Sequence, residues 1–174
     1  DVEGKGDLEA LAALSPEPLS IKPAGPVTFG GRIERQGERL RIDGGHLATA
    51  AVTAAFSGEI LGSTRSFALN ADLVPAELSR WVAGLDLQGA VVPVEAAVRI
   101  EAGRTEATGK TRIGRLARGA AGSVSTGAVE FSTTLGGGSL AGTARISDLV
   151  VTAAGGEAVK DPAVSVVYDV AQSA

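Results

Sequence analysis

Across "VTFGGRIERQGERLRIDGGHLATAAVTAAFSGEI", residues 27–60, an apolar side chain falls at nearly every second position. Val27, Phe29 and Ile33 alternate with Thr28, Arg32 and Glu34; Leu40 and Ile42 alternate with Arg39 and Arg41; Val52, Phe56 and Ile60 follow. A period of two means β-strands with one apolar face. The pattern predicts strands at about 27–35 and 38–43, joined by a tight turn at Gln36-Gly37, then a turn at "DGGH", one or two strands over 46–60, and another at 66–71. Ahead of them, "DLEALAAL" at 7–14 reads as a short helix. Asp7 is its candidate N-cap, and Leu8, Leu11 and Leu14 share a face. Four prolines between 16 and 26 end it.

The layout then starts again. Asp72-Leu73 answers Asp7-Leu8, a second short helix carries Leu78 and Trp81, and "LDLQGAVVPVEAAVRIEAG" answers "LSIKPAGPVTFGGRIERQG". The offsets, 65 (72 − 7) and 67 (100 − 33), agree if the second helix holds two extra residues. Strands continue over 104–113, 123–135 and 140–153. A last one in "DPAVSVVYDV" has Val164, Val166, Tyr168 and Val170 on one face. A period near 65 residues divides the chain into residues 1–71, residues 72–146 and the start of a further unit at 147–174, forming one continuous β structure. The expected fold is mainly β: an antiparallel meander curled into a groove or half-barrel, with two short helices. A sandwich or barrel is the alternative.

Composition changes this picture in one respect. The chain is 44% hydrophobic but only 3% aromatic, so its apolar content is mostly Ala and Val and its interior is built from small residues. The formal net charge of −4 speaks against nucleic acid as a partner. No apolar run approaches the ~20 residues of a membrane-spanning helix. The start at Asp1 and the lack of Met fit a segment of a longer protein, whose remainder could carry a membrane anchor.

No candidate chemistry survives inspection. "GRTEATGKT" ends like a phosphate-binding loop, but five residues separate Gly103 from Gly109 where that loop needs four, and no good helix follows; a hairpin is the simpler reading. His46 is the one histidine and sits after the "DGG" turn, with no Gly-x-Ser-x-Gly elbow to supply a nucleophile. One His and no Cys leave no His/Cys metal site, and no calcium-loop spacing occurs. The carboxylates alternate with apolar residues and read as a solvated face. Arg112, Arg115 and Arg118 read as a polar strand edge. An enzyme is the weakest class, and no cofactor or metal is expected.

The argument about function therefore runs through the apolar face. If it closes on protein, it is a core. If it stays open, Val27, Phe29, Ile33, Leu40 and Ile42 in the first unit and Val92, Val94, Val98 and Ile100 in the second line a trough for a hydrocarbon. Each methylene buried there is worth ~0.8 kcal/mol.

The stretch "GKGDLEALAALSPEPLSI…GPVTFGGRIERQGERLRIDGGHLATAAVTAAFSGEI" resembles the repeating unit of AsmA-like proteins, the group that includes TamB and YhdP. There, a "GDL..L" helical lead-in precedes a meander of this form. The tail "ISDLVVTAAGGEAVKDPAVSVVYDV" resembles the start of another unit. The likeness covers most of the chain and lies in rhythm and composition. It implies a periplasmic or cell-envelope protein, anchored at the inner membrane outside this segment, whose apolar groove shields phospholipid acyl chains on their way to the outer membrane. It supplies no catalytic residues. The rival expectation is a structural or adhesion-type β-repeat with a closed dry core.

Overall fold

The computed structural model describes residues 1–7, 25–81 and 86–171. Among them, thirteen strands join one antiparallel sheet that does not close on itself. The strands are β1 (Val2–Asp7), β2 (Pro26–Gln36), β3 (Arg39–Ala48), β4 (Val52–Leu61), β5 (Thr64–Leu73), β6 (Leu87–Gly89), β7 (Val92–Glu101), β8 (Arg104–Thr111), β9 (Leu116–Arg118), β10 (Gly122–Ser125), β11 (Val129–Gly136), β12 (Ser139–Ala153) and β13 (Ala158–Ala171). They lie in the order β1-β2-β3-β4-β5-β7-β8-β11-β12-β10-β9-β6, with β13 on the far side of β12. Mainly-β and antiparallel hold; the barrel alternative does not.

Tight turns set one end of the sheet. Residues 37–38, 62–63, 102–103 and 137–138 each reverse the chain in two residues. Glycines 37, 62, 103, 137 and 138 supply the positive φ such turns require, and Ala102 adopts it too, at φ 48°. The opposite end carries the longer connections. There Thr49 Oγ1 accepts the N–H groups of Ala51 and Val52, and Thr126 and Ile113 bond each other through Thr126 N–H and Oγ1. Those connections hold Ala51 (0% exposed) and Thr126 in place. Val27 (1% exposed), near the start of β2, lies at the same end; with Ala51 it completes the buried hydrophobic residues among those described. One helix, α1 (Pro75–Leu78), is described, four residues long. The first expected helix falls outside the described residues, apart from Asp7, the last residue of β1.

Three expectations are corrected here. "DGGH" is not a turn. Arg32 pairs with Asp43 and Gly30 with His46, so β3 holds one residue more than β2 between those pairs. Gly44, at φ 58°, lies within that bulge. The bulge flips the parity of β3 and thereby leaves Ile42 and Leu47 on the same face. The single strand expected over 123–135 is two, because the chain turns at Thr126-Gly127-Ala128 between β10 and β11. Residues 112–118 are not a sheet edge: β9 is paired on both sides, by β6 and β10. The proposed unit limits, 71/72 and 146/147, fall inside β5 and β12, and the sheet runs through both.

Candidate functional site

Residues directly opposite on neighbouring strands share a face, so the register reads out both surfaces of the sheet. Val98 lies between Phe67 and Ala107, Val94 between Ala71 and Thr111, and Ile100 between Arg65 and Thr105; Val92 faces Leu73. Ile33 faces Ile42, Leu40 faces Arg35 and Ile60, Phe29 faces Gly4 and Leu47, and Val27 faces Gly6. All nine expected residues thus share one face, in two groups on β2–β3 and β7, separated by β4 and β5. Val27 is buried at the sheet's end and offers little surface. Phe29 and Ile33 are exposed, and the other six are half-buried.

The face is wider than those nine. One row across the strands runs from Gly45 through Phe56, Leu69 and Ala96 to Gly109, then Phe131, Ala144 and Val166. Twice along it a ring stands beside a glycine, Phe56 beside Gly45 and Phe131 beside Gly109, for a physical reason. A Cβ built at Gly45 would stand 2.5 Å from the Phe56 ring, so that ring lies over the glycine of the next strand. The same holds for Phe29 over Gly4, Phe67 over Gly58, Phe131 over Gly109 and Tyr168 over Gly142. Every aromatic residue on this face therefore roofs a gap left by a glycine. The Tyr168 hydroxyl also hydrogen-bonds Thr133. Sequence reasoning missed these pairs, because a glycine on one strand and a ring on the next become partners only once register is known.

The opposite face follows another rule. Its rows alternate in charge: Glu34, Arg41 and Glu59 lie in sequence across β2 to β4, and Glu95, Lys110, Glu130 and Arg145 across β7, β8, β11 and β12. Lys110 Nζ lies 2.9 Å from Glu95, and Arg39 reaches Glu59 at 2.6 Å. The Arg39 guanidinium is held above its ordinary pKa, first by that hydrogen bond and then by the charge of Glu59. His46 is on this face, within β3, its Nε2 3.8 Å from Glu3.

Two depressions, of about 690 and 860 Å³, lie on this polar side. Both include Ser57, Ala68, Ala97 and Thr108, a lane of small side chains between the charged rows. The second also touches Phe56, Leu69 and Ala96, but with their immediate chain neighbours and none of the residues two away. Their backbone therefore forms its floor, and their side chains point to the other side. The expected trough on the apolar face is thus not matched by either depression. There the rings lie over the glycine gaps, whereas the small-residue lane leaves a hollow. Among the described residues, no three His, Cys, Asp or Glu side chains are grouped to hold a metal ion, and no helix is long and apolar enough to cross a membrane. "GRTEATGKT" forms the turn into β8 and β8 itself. Comparison with family models, curated proteins and solved structures gave no match.

Proposed function

We propose that this chain is a section of a periplasmic, AsmA-like β-structure that holds no catalytic site and offers its apolar face to phospholipid acyl chains in transit. The observation that carries the reading is the uncovered state of that face. It extends from β2 to β13, yet Val27 and Ala51 are the buried hydrophobic residues among those described. A contiguous apolar surface of this kind marks an interaction site. Spaced at ~4.8 Å per strand, nine strands give a strip about 40 Å across. Small residues and flat rings keep it level, which suits a flexible chain better than a rigid ligand. The sequence resemblance supports the same reading.

A structural β-repeat with a closed dry core is the rival. It needs a second layer over Val94, Val98 and Phe131, and none stands among the described residues. The deciding experiment purifies the chain from a didermic bacterium and analyses the extract by mass spectrometry. A photoreactive residue at Val98 is compared with one at Ala97, on the opposite face. The proposal expects phospholipid in the extract and acyl cross-links from position 98 alone. Lipid-free protein whose position 98 cross-links only to protein would establish the rival.

A further inference from the structure

The apolar face is not free of charge. Its row nearest the tight turns begins Arg35, Leu40, Ile60, Arg65, Ile100 and Thr105, across β2 to β8. From that row inward to the row of Leu47 and Val94, these two arginines are the only charges on this face, and no carboxylate shares it. The opposite ends of the same columns, Val52, Leu73 and Val92, carry no charge.

The polar face is also rich in arginine toward the turns, and there each one is matched. Arg32 lies 3.0 Å from Glu34, Arg39 2.6 Å from Glu59 and Arg41 3.0 Å from Asp43. Arg99 lies 2.7 Å from Glu101, and Arg104 3.1 Å from Glu106. Arg35 and Arg65 have no such partner among the described residues, because strand alternation sends the acids around them to the other face. Arg35 donates its Nε–H to the Gly37 carbonyl at 3.1 Å, whereas the exposed Arg65 guanidinium is wholly unengaged. Its immediate neighbours in the row are the half-buried Ile60 and Ile100. An arginine in that setting lays its methylenes along apolar surface and keeps its head in water. Its planar fork of donors matches a phosphate. A free fork at the rim of an apolar surface suits an anion attached to a hydrocarbon.

We propose that Arg65, and Arg35 beyond it, bind the phosphodiester of a phospholipid at the turn-end rim, so that its acyl chains lie along the strands and not across them. One leaflet of a hydrocarbon core ~30 Å thick is about 15 Å deep, or about four residues of strand. From Arg65 that length runs past Phe67 and Val98 to Leu69 and Ala96, well short of the far end at Leu73 and Val92. The head group stays in water at the rim, where it loses no hydration. Arg35 and Arg65 stand three strands apart, about 14 Å, as successive stations for a lipid moving across the sheet.

The inference rests on the acyl-shielding reading, and a pair of probes separates the two. Lysophosphatidylglycerol and monoacylglycerol of the same chain length share a hydrocarbon, and the first alone carries phosphate. Each is offered to the 174-residue chain below its micelle concentration, and binding is read by equilibrium dialysis. Lysophosphatidylglycerol is expected to bind about tenfold more tightly, the scale of one charge-assisted hydrogen bond. Arg65→Gln is expected to remove most of that advantage, and Arg35→Gln with it the rest, with monoacylglycerol binding unchanged. Arg65→Lys keeps the charge without the fork and is expected to restore part of it. Arg145→Gln, at an exposed position on the polar face, is expected to alter neither probe. Equal binding of the two probes, or equal losses from Arg65→Gln and Arg145→Gln, would overturn the proposal and leave acyl shielding standing. Inorganic phosphate that binds as tightly as lysophosphatidylglycerol would overturn it in favour of a soluble anion. Binding of neither probe would overturn both readings. Should Arg65→Gln not fold, the two probes on the unaltered chain decide alone.

Discussion

The same strands build two faces by different means. On one, fit between neighbours does the holding: Phe56 over Gly45, Phe131 over Gly109, Phe67 over Gly58. On the other, charges alternate across the strands, and most of the charged side chains stay in water. Changing a residue by one position along β7, from Val98 to Ala97, passes from the first rule to the second. The apolar face is intolerant of shape change and leaves a surface that water disfavours. The polar face sets acid beside base across its strands, as in Glu95, Lys110, Glu130 and Arg145. A function for the sheet is therefore sought on the apolar side, even though the hollows are on the polar one.

The largest expected effect breaks the fit itself. A Cβ at Gly109 meets the backbone oxygen of Glu95 as well as the Phe131 ring, 2.7 Å away, so both strand and ring must shift. Gly109→Ala is expected to cost about 2 kcal/mol, the scale of overpacking. Gly45→Ala, whose nearest contacts are all on the movable Phe56 ring, is expected to cost less. Urea unfolding of both variants checks the order, and equal costs would mean the backbone approach at Gly109 is not what matters. Next comes one charge placed on either face. Val98→Asp removes a half-buried apolar side chain and is expected to cost about 1–2 kcal/mol. Ala97→Asp, exposed on the polar face, is expected to stay within about 0.5 kcal/mol. Co-purifying phospholipid is expected to fall with the first and persist with the second.

Much of this contrast is legible in the sequence, for a reason seen in β7. A strand with one face in water keeps strict alternation, so Val92, Val94, Val98 and Ile100 declare themselves. Legibility fails where parity changes or where the signal is composition shared by two structures. "DGGH" carries turn residues, but a bulge uses the same ones, and only the pairing of Ile42 with Ile33 and of Leu47 with Phe29 distinguishes them. β1, "VEGKGD", lacks the aliphatic signature because three of its residues are charged and two of them are glycine, which receives the Phe29 ring at position 4. The break at Thr126 is hidden because "SVSTGAVEF" keeps an alternating rhythm through a turn. Pairings between strands, and hence the glycine–aromatic contacts, are not present in any single stretch of sequence.

The two halves of the sheet sharpen the comparison at smaller scale. Gly45 with Phe56 on β3–β4 and Gly109 with Phe131 on β8–β11 occupy matching places in two runs of four strands, each beginning after a long connection. Phe56→Leu and Phe131→Leu each keep an apolar side chain but lose the flat ring. Both are expected to cost about 1 kcal/mol and to add independently, because three strands separate them. Costs that fail to add in a double variant would show that the two halves respond as one unit.

The smallest effect belongs to the polar face. Lys110 and Glu95 are more than half exposed, and their contact is one link in a row that continues to Glu130 and Arg145. Exposed pairs of this kind contribute between zero and about 1 kcal/mol and weaken with salt. Lys110→Gln keeps the length of the side chain and removes its charge, leaving Glu95 and Glu130 without the cation between them. It is expected to lower stability by about 0.5 kcal/mol in dilute buffer and by nothing measurable at 1 M salt. Unfolding curves at the two salt concentrations check this directly. A loss that survives high salt would assign Lys110 a packing role, its methylenes lying along the lane beside Thr108, and the polar face would then share the dependence on fit that marks the other side.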